Sequence, residues 1–361
     1  MVRSKTGLSL EYIIHPGETL CELLEDRGIS ESQLASQIGF STECISDVIH
    51  GRAGISVNLA NALGTAFSVS SQYWLNMQNN YSRELEMATN PVSEQEFLIL
   101  KGLKTICQYM ASIGELDISL PKTDIVYALR RFLSVDNLAE TASSSLAVAF
   151  RQQTTSRANP HVLYSWIKIC EHIASKMPQP RVFSVDLLQE NLPNIKALMF
   201  LSINDAITEL TRIFALCGVK FGVVRHFPGA PVHGFIEKAD SGAVILFLTI
   251  RGAYADKFWF TLFHEIAHIL NGDLDQQPKF VDYDFSENDQ EKLADKFARD
   301  TLIDPVLYAH FVENQDFSYN SIKTFSDSAG VLPGIVIGRL QLERHIKYSN
   351  YNNHRAKYSL S

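Results

Sequence analysis

The chain has 361 residues, enough for two or three domains of ordinary size. Its hydrophobic content of 46% can fill real cores, and its net charge of −8 argues against an affinity for nucleic acid that rests mainly on non-specific attraction to phosphates. No apolar run reaches the length of a membrane span, the first residues lack a signal-peptide core, and the five cysteines show no pattern, so we expect a cytoplasmic protein with no membrane partner.

Residues 15–51 predict a helix-turn-helix. Three short helices are expected. The first begins with Pro16 in its first turn and runs through Arg27, and the second ends at Gly39. The third is capped by Ser41 and stops at Gly51. Short helices joined by a tight, glycine-containing turn are typical of this motif. The predicted core of the motif is Leu34, Ala35, Ile45, Val48 and Ile49.

Six stretches carry a family resemblance: residues 15–20 of the form H-P-G-E-x-L, Ser32-Gln33-Leu34-Ala35, Ile45-Ser46, His50-Gly51-Arg52, Ile55-Ser56 and the run from Tyr73 to Tyr81. Through them, residues 13–86 resemble the HigA-type antitoxins of the Xre/Cro helix-turn-helix family. The resemblance implies a dimeric, operator-binding repressor that regulates its own gene or pairs with a toxin. The residues then expected to contact DNA are Ser41, Thr42, Glu43, Ser46, Asp47, His50 and Arg52.

The charge of this region is unusual for a DNA-binding domain. Residues 1–86 contain five Lys/Arg and ten Asp/Glu, a net charge of −5. Phosphate neutralisation dominates DNA affinity, yet the predicted recognition helix carries Glu43 and Asp47. Acids can accept hydrogen bonds from cytosine amino groups, and a dimer doubles the contacts, so we favour operator DNA as the partner. The alternative is a helix-turn-helix that serves dimerisation or protein docking.

The middle of the chain, residues 88–180, predicts helices to which we assign no chemistry. Residues 88–93 are interpreted as a linker, and helical periodicity follows over residues 94–113, 121–133, 138–152 and 159–177. A mild basic cluster is interpreted as a solvated face and consists of Arg130, Arg131, Arg151 and Arg157. We expect this region to dimerise or to pass a signal between the two ends.

A β-hairpin is predicted between residues 234 and 250. Gly234–Lys238 and Ala243–Ile250 have strand patterns, and the turn lies at Asp240-Ser241-Gly242. As an edge strand, this hairpin could hold an extended peptide by backbone pairing. An ordinary packed hairpin is the alternative, and both can hold.

The most informative motif is His264-Glu265-Ile266-Ala267-His268, which has the form H-E-x-x-H in an apolar run. Two histidines at i and i+4 share one helix face and can hold one Zn²⁺, and the adjacent glutamate can act on a metal-bound water. Three titratable side chains in a buried helix are costly unless a partner such as a metal pairs them. The alternatives are a chance match and a structural zinc site, which usually requires cysteine ligands.

The third ligand is expected from a second helix over residues 291–298. Glu291 and Asp295 lie at i and i+4, so Glu291 can ligate the metal while Asp295 accepts the outward N–H of His264. The alternative is that both are solvated surface acids. The predicted core stripe of this helix is Leu293, Ala294, Phe297 and Ala298. The competing acids are interpreted as a solvated loop and are Asp273, Asp275, Asp282, Asp284 and Glu287.

The segments Arg251–Gly272, Glu291–Pro305 and Pro333–Gln341 carry a second resemblance. Through them, residues 185–358 resemble the ImmA/IrrE metallopeptidases. This implies His264, His268 and Glu291 as zinc ligands, Glu265 as the catalytic acid/base, and Asp295 as the acid that orients His264. Glu265 then takes the proton of a zinc-activated water and passes it to the leaving amine. The candidate oxyanion donors, each more naturally structural, are Arg251, His233 and Arg339.

The expected fold class is α+β and mostly helical. It comprises an all-α helix-turn-helix domain over residues 1–87, a helical linker or dimerisation region over 88–180, and a zincin-like metallopeptidase domain with a small sheet over 181–361. We expect a homodimeric regulator that cuts a specific protein such as a repressor or antitoxin. The rival is a non-proteolytic HigA-like antitoxin that binds operator DNA or a cognate toxin, with its zinc fold as sensor or scaffold. The intact Glu265 favours the peptidase.

Overall fold

The computed structural model describes residues 10–143, 159–178, 181–239, 242–250, 254–276, 279–283 and 289–358. Contacts between residues divide the chain into two compact units, Met1–Phe97 and Leu98–Ser361. The predicted mostly helical α+β class agrees with the described elements. The predicted domain boundaries after residues 87 and 180 stay predictions. No helix among the described residues is long and apolar enough to cross a membrane.

The helices of the first unit begin on side-chain caps. They are α1 (Pro16–Arg27), α2 (Glu31–Ile38), α3 (Thr42–Ile49), α4 (Val57–Phe67) and α5 (Ser71–Thr89). A side-chain atom accepts a backbone N–H of the first turn in each of them, and the capping residues are His15, Ser30, Ser41, Ser56 and Ser70. Because such caps satisfy donors that the helix itself leaves open, they fix where each helix starts.

The predicted core of the helix-turn-helix is confirmed. Leu34 and Ala35 of α2 and Ile45 and Val48 of α3 are buried, and Ile49 packs against them from the edge. Trp74 of α5 closes the same core, buried completely. The turn between α2 and α3 passes through Gly39, whose φ of +74° suits glycine.

The segment His15-Pro16-Gly17 holds α1 against α3. Nδ1 of His15 accepts the backbone N–H of Gly17 at 3.0 Å, and burial lowers the pKa of His15 despite the nearby Glu18, so the neutral acceptor form is favoured. A Cβ on Gly17 would lie 1.9 Å from the carbonyl oxygen of Val48. Only glycine therefore allows this approach of α1 to α3.

Between residues 94 and 178, the described helices are α6 (Glu94–Gly102), α7 (Lys104–Ser112), α8 (Lys122–Leu133) and α9 (Pro160–Lys176). The predicted single helix over 94–113 is interrupted at Leu103, after a glycine, which is a poor helix former. The predicted solvated face is wrong for Arg130, which is 2% exposed with its guanidinium 5.1 Å from the ring centroid of Tyr127. Arg151 and Arg157 lie outside the described residues.

The sheet contains β1 (Val219–Val223), β2 (Val232–Lys238), β3 (Val244–Leu248) and β4 (Lys279–Tyr283) in the order β1-β3-β2-β4. β2 and β3 form the predicted antiparallel hairpin, β1 runs parallel to β3, and β4 runs antiparallel to β2. The expectation that this hairpin offers an edge strand beside the metal is wrong, because β4 already pairs with the outer side of β2. Pairing between strands so far apart in sequence leaves no local pattern.

The remaining helices are α10 (Val185–Ala197), α11 (Ile203–Leu216), α12 (Ala255–Leu270), α13 (Asp273–Gln276), α14 (Asp289–Leu302), α15 (Pro305–Glu313), α16 (Tyr319–Ala329) and α17 (Pro333–Leu342). The two faces of the sheet are covered by different helices. Ile236 and Leu246 share a core with Phe263 of α12. On the opposite face, the ring of Phe235 meets Trp166 of α9 edge to face, at 6.1 Å between centroids.

The end of the chain lies against the start of α12. The Arg355 guanidinium pairs with the Asp256 carboxylate at 2.5 and 3.2 Å, and Trp259 Nε1 donates to the hydroxyl of Tyr358 at 2.7 Å. The backbone N–H of Ala255 donates to the carbonyl of Ala356 at 2.9 Å. The sequence predicts a partly mobile polar tail from Tyr348 onward. Its partners lie 99 residues earlier, beyond the reach of any local pattern.

We predict that Gly17→Ala lowers the free energy of unfolding of the first unit by roughly 3 kcal/mol, because no rotamer change can relieve a clash with backbone. Gly28→Ala is the matched control. An added Cβ on Gly28 meets nothing within 4 Å, so only its left-handed backbone, with φ of +62°, adds a cost, about 1 kcal/mol. Urea unfolding measures both changes. Equal losses would contradict the close approach of α1 to α3.

Candidate functional site

The H-E-x-x-H motif lies in the most buried part of α12. His264, Glu265 and His268 are 6%, 1% and 2% exposed, as expected for a helix that is apolar all round. α14 packs against α12 and brings Glu291 to the two histidines. The structure therefore places the three predicted ligands together in one cluster.

The spacing of the ligand atoms suits one small cation. Nε2 of His264 lies 3.1 Å from Nε2 of His268 and 3.0 Å from Oε2 of Glu291, and the third separation, between His268 and Glu291, is 3.6 Å. Around a tetrahedral zinc with bonds of about 2.1 Å, ligand atoms lie roughly 3.4 Å apart. The observed triangle matches that edge length.

Two carboxylates fix the orientation of the imidazoles. Nδ1 of His264 lies 2.9 Å from Oδ1 of Asp295, and Nδ1 of His268 lies 2.7 Å from Oδ2 of Asp273. When each Nδ1–H donates to its carboxylate, both Nε2 lone pairs point at each other and at the Glu291 carboxylate. A cation between them relieves this repulsion, so the donor set fits a metal ion.

Asp273 contacts the cluster although the sequence did not indicate it. It was expected in a solvated loop, but it is 5% exposed and begins α13 directly after α12. A signal existed in principle, because each ligating histidine needs an acceptor for its second nitrogen and Asp273 follows His268 by five residues. Asp275 does lie at the surface, paired with Lys238 at 2.5 Å. Asp284, Glu287 and the side chain of Asp282 lie outside the described residues.

The electrostatics of the cluster favour positive charge between the ligands. Burial alone would raise the pKa of Glu291, but hydrogen bonds from His264 and His268 outweigh it and lower the pKa to about 2. Burial would lower the pKa of His268, yet its hydrogen bond with Glu291 and the charge of Glu265 raise it. The Glu291 carboxylate thus stays ionised, and the negative charges of Glu291 and Glu265 favour positive charge at this point.

Glu265 occupies a tight position between α12 and β2. A Cβ on Gly234 would lie 1.9 Å from Oε1 of Glu265, so the carboxylate rests directly on the strand backbone. Only glycine at this position leaves room for it. The fold therefore holds the predicted acid/base one residue along the helix from the first ligand.

A cavity of about 540 Å³ opens beside the cluster, and His264 and Glu291 form part of its wall. Of the predicted oxyanion donors, His233 and Arg339 also line it, and Arg251 lies outside the described residues. Arg339 is engaged elsewhere: its Nε donates to Glu343 at 3.0 Å and its guanidinium covers the ring of Tyr308 at 3.7 Å. These contacts favour the structural role of Arg339 over the role of oxyanion donor.

The helix that carries Glu291 differs in one respect from its predicted pattern. Ala294 and Ala298 are buried and Phe297 packs at the core edge, as expected, but Leu293 is 58% exposed. α14 buries a narrow stripe of small residues against α12. The close approach that these alanines allow brings Glu291 within reach of the histidines.

The predicted DNA-contacting residues lie on one exposed edge of the first unit. Thr42, Glu43, His50 and Arg52 are exposed, and Ser46 and Asp47 are half-buried. Ser41 is exposed and accepts the backbone N–H of Cys44 as the cap of α3. Nε of Arg52 pairs with Oδ1 of Asp47 at 2.7 Å, so one of the two acids of the recognition helix is neutralised within the domain.

Comparison with curated proteins identifies the N-terminal part. Virulence-associated protein I of Dichelobacter nodosus is 38% identical to this chain over 76 residues, which are 21% of this chain and 68% of that protein. Because its N-terminal part matches more than two thirds of that protein, the chain belongs to the family of virulence-associated protein I. No family model matches the chain.

Solved structures similar to this N-terminal fifth include HigA-type antitoxins with a helix-turn-helix. Antitoxin HigA of Pseudomonas aeruginosa with the higBA promoter is 38% identical, covers 21% of this chain and 85% of that chain, and has a TM-score of 0.21. A Pseudomonas aeruginosa protein in complex with 18 bp of its operator DNA is 38% identical, with 21% and 84% covered and a TM-score of 0.21. This likeness covers only about a fifth of the chain.

We predict that Asp273→Asn and Asp295→Asn each weaken Zn²⁺ affinity by about 10- to 100-fold, because each removes the acceptor that orients one imidazole. Asp289→Asn is the matched control, since Asp289 begins the same helix as Asp295 and is 97% exposed. Competition with a chromophoric chelator measures all three affinities. If Asp273→Asn behaves like the control, the assignment of Asp273 is wrong.

Proposed function

We propose that this protein is a DNA-binding regulator whose second unit is a zinc-dependent endopeptidase that cuts a specific regulatory protein. The observation that supports this best is the position of Glu265. Its carboxylate is buried between α12 and Gly234, one residue from a ligand. Burying the Glu265 carboxylate is costly, and a metal site that only stabilises the fold would not require it.

The number of ligands also favours catalysis. Among the described residues, the cluster contains two histidines and one carboxylate, and two of its members, His264 and Glu291, line the cavity. Catalytic zinc sites have three protein ligands and one open position, whereas structural sites have four, usually with cysteine. The five cysteines are free, and none belongs to this cluster.

The residues of the chain divide the proposed reaction between them. A bound zinc ion supplies Lewis-acid chemistry, since it polarises a peptide carbonyl and acidifies water. Glu265 accepts the proton of the attacking water and passes it to the departing amine. Asp295 and Asp273 hold the two imidazoles in the tautomer that presents Nε2. The cavity beside His264 and Glu291 receives the peptide.

Operator DNA is the proposed partner of the first unit. Relatives of this part have been solved with promoter or operator DNA. The exposed edge of α3 and the following Arg52 offers hydrogen-bonding groups of the kind that contact bases and phosphates. A homodimer would double these contacts, and a peptidase joined to such a domain would act on a regulatory protein, such as a repressor or antitoxin.

One observation favours a second candidate. Two of the similar solved structures are HigA-type antitoxins, and they match only about a fifth of this chain. A non-proteolytic antitoxin or repressor, which binds operator DNA or a cognate toxin and uses the metal fold as a sensor or scaffold, accounts for that match equally well. The two candidates differ in whether Glu265 is needed.

We predict that Glu265→Gln retains bound zinc but slows cleavage by at least about 100-fold, because the amide cannot accept the proton. The inactive variant, expressed in cells, serves as a trap, and proteins that co-purify with it are then incubated with the native chain. Glu313→Gln, at an exposed position on α15, is the matched control. If no captured protein is cut, or if the Gln variant cuts as fast as the native chain, the second candidate is favoured.

We predict that Arg52→Ala weakens binding to the gene's own upstream DNA by about tenfold, since it removes a cation from the recognition edge. Asp47→Asn should strengthen binding, because it removes a negative charge and releases Arg52. Fluorescence anisotropy at low salt measures both, with Arg83→Ala, exposed on α5, as the control. Absence of binding by the native chain at low salt would contradict the operator proposal.

A further inference from the structure

We propose that His233 is a further catalytic residue, which donates an N–H to the carbonyl oxygen of the scissile peptide as negative charge develops there. This inference rests on the proposed peptidase function. It is carried by an irregularity in β2 and by the surroundings of the side chain.

The irregularity is a β-bulge at His233. Val232 pairs with Tyr283 and Gly234 pairs with Asp282, so two steps along β2 correspond to one step along β4. His233 is the extra residue. Bulges re-aim a side chain and are frequent beside active sites.

The bulge changes the face on which His233 lies. Gly234 faces α12, because a Cβ added there would point at the Glu265 carboxylate, and Phe235 faces Trp166 on the other side of the sheet. Strict alternation would place His233 with Phe235, away from α12. His233 instead lines the cavity together with Lys257, Thr261 and His264, which lie on one side of α12.

The bulge is held in place by β3 and the residue after it. The backbone N–H of Thr249 donates to the carbonyl of His233 at 2.9 Å, and the Thr249 hydroxyl donates to the carbonyl of Val232 at 2.7 Å. Thr249 is buried. The backbone that carries the imidazole is therefore fixed by hydrogen bonds. A donor on such a backbone can stabilise a transition state without a rearrangement of the protein.

The position of His233 suits an oxyanion donor better than another role. It precedes Gly234, which touches the acid/base, and it shares the cavity wall with the ligand His264. His233 is therefore next in the chain to the residue against Glu265, on the wall of the cavity that would receive the peptide.

The test measures binding of a tetrahedral anion, so that it does not depend on knowing the substrate. The full chain is loaded with Co²⁺, whose visible spectrum reports on its ligands, and titrated with inorganic phosphate as a mimic of the oxyanion. We expect His233→Ala to raise the Kd for phosphate about tenfold, as for a lost hydrogen bond to a charged group. His233→Gln, which keeps an N–H donor, should lie between the native chain and the Ala variant. Affinity for Co²⁺ should be unchanged in both.

His310→Ala is the matched control, because His310 is exposed on α15 and does not line the cavity. If Co²⁺ binds and phosphate affinity is the same in the native chain and His233→Ala, the role of His233 is wrong while the metal centre stands. A native chain that binds Co²⁺ but gives no phosphate response would equally overturn the role of His233. Failure of the native chain to bind Co²⁺ would overturn the metallopeptidase proposal and this inference with it.

Discussion

The arrangement of the second unit depends on one electrostatic constraint. Two imidazole nitrogens and a carboxylate oxygen converge to within 3.0–3.6 Å of each other inside a buried helix pair. Such a set is unfavourable without positive charge between its members. Several neighbouring residues position the members of this cluster. Asp273 and Asp295 fix the imidazoles, small residues on α14 allow its close approach, and Gly234 makes room for Glu265.

Local patterns predicted much of this molecule because the interactions behind them are local. Serine caps and glycine stops fix the ends of the helix-turn-helix, and the i, i+4 spacing of His264 and His268 needs only one helix. Glu291 and Asp295 could also be predicted from the sequence, since their i, i+4 spacing lets one act as a metal ligand and the other as the acceptor for a histidine N–H. The family resemblance of the N-terminal part is supported by its relatives, while the metallopeptidase resemblance stays a prediction.

The features that the sequence did not show depend on partners far along the chain. β4 pairs with β2 across about 45 residues, which removes the predicted edge strand. Arg130 is buried against Tyr127, although four arginines in a helical region are typical of a solvated face. The tail from Tyr348 is held by Asp256 and Trp259, 99 residues earlier. Asp273 looked like one loop acid among several, and only its burial beside His268 distinguishes it.

The central claim is that His264, His268 and Glu291 hold a zinc ion with one position open for chemistry. X-ray absorption at the zinc edge on the purified full chain tests it most directly. We predict one zinc per chain with two imidazole nitrogens, one carboxylate oxygen and one further light atom, at about 2.0–2.2 Å and with no sulfur. A spectrum with sulfur ligands, or a chain that takes up no zinc, would contradict it.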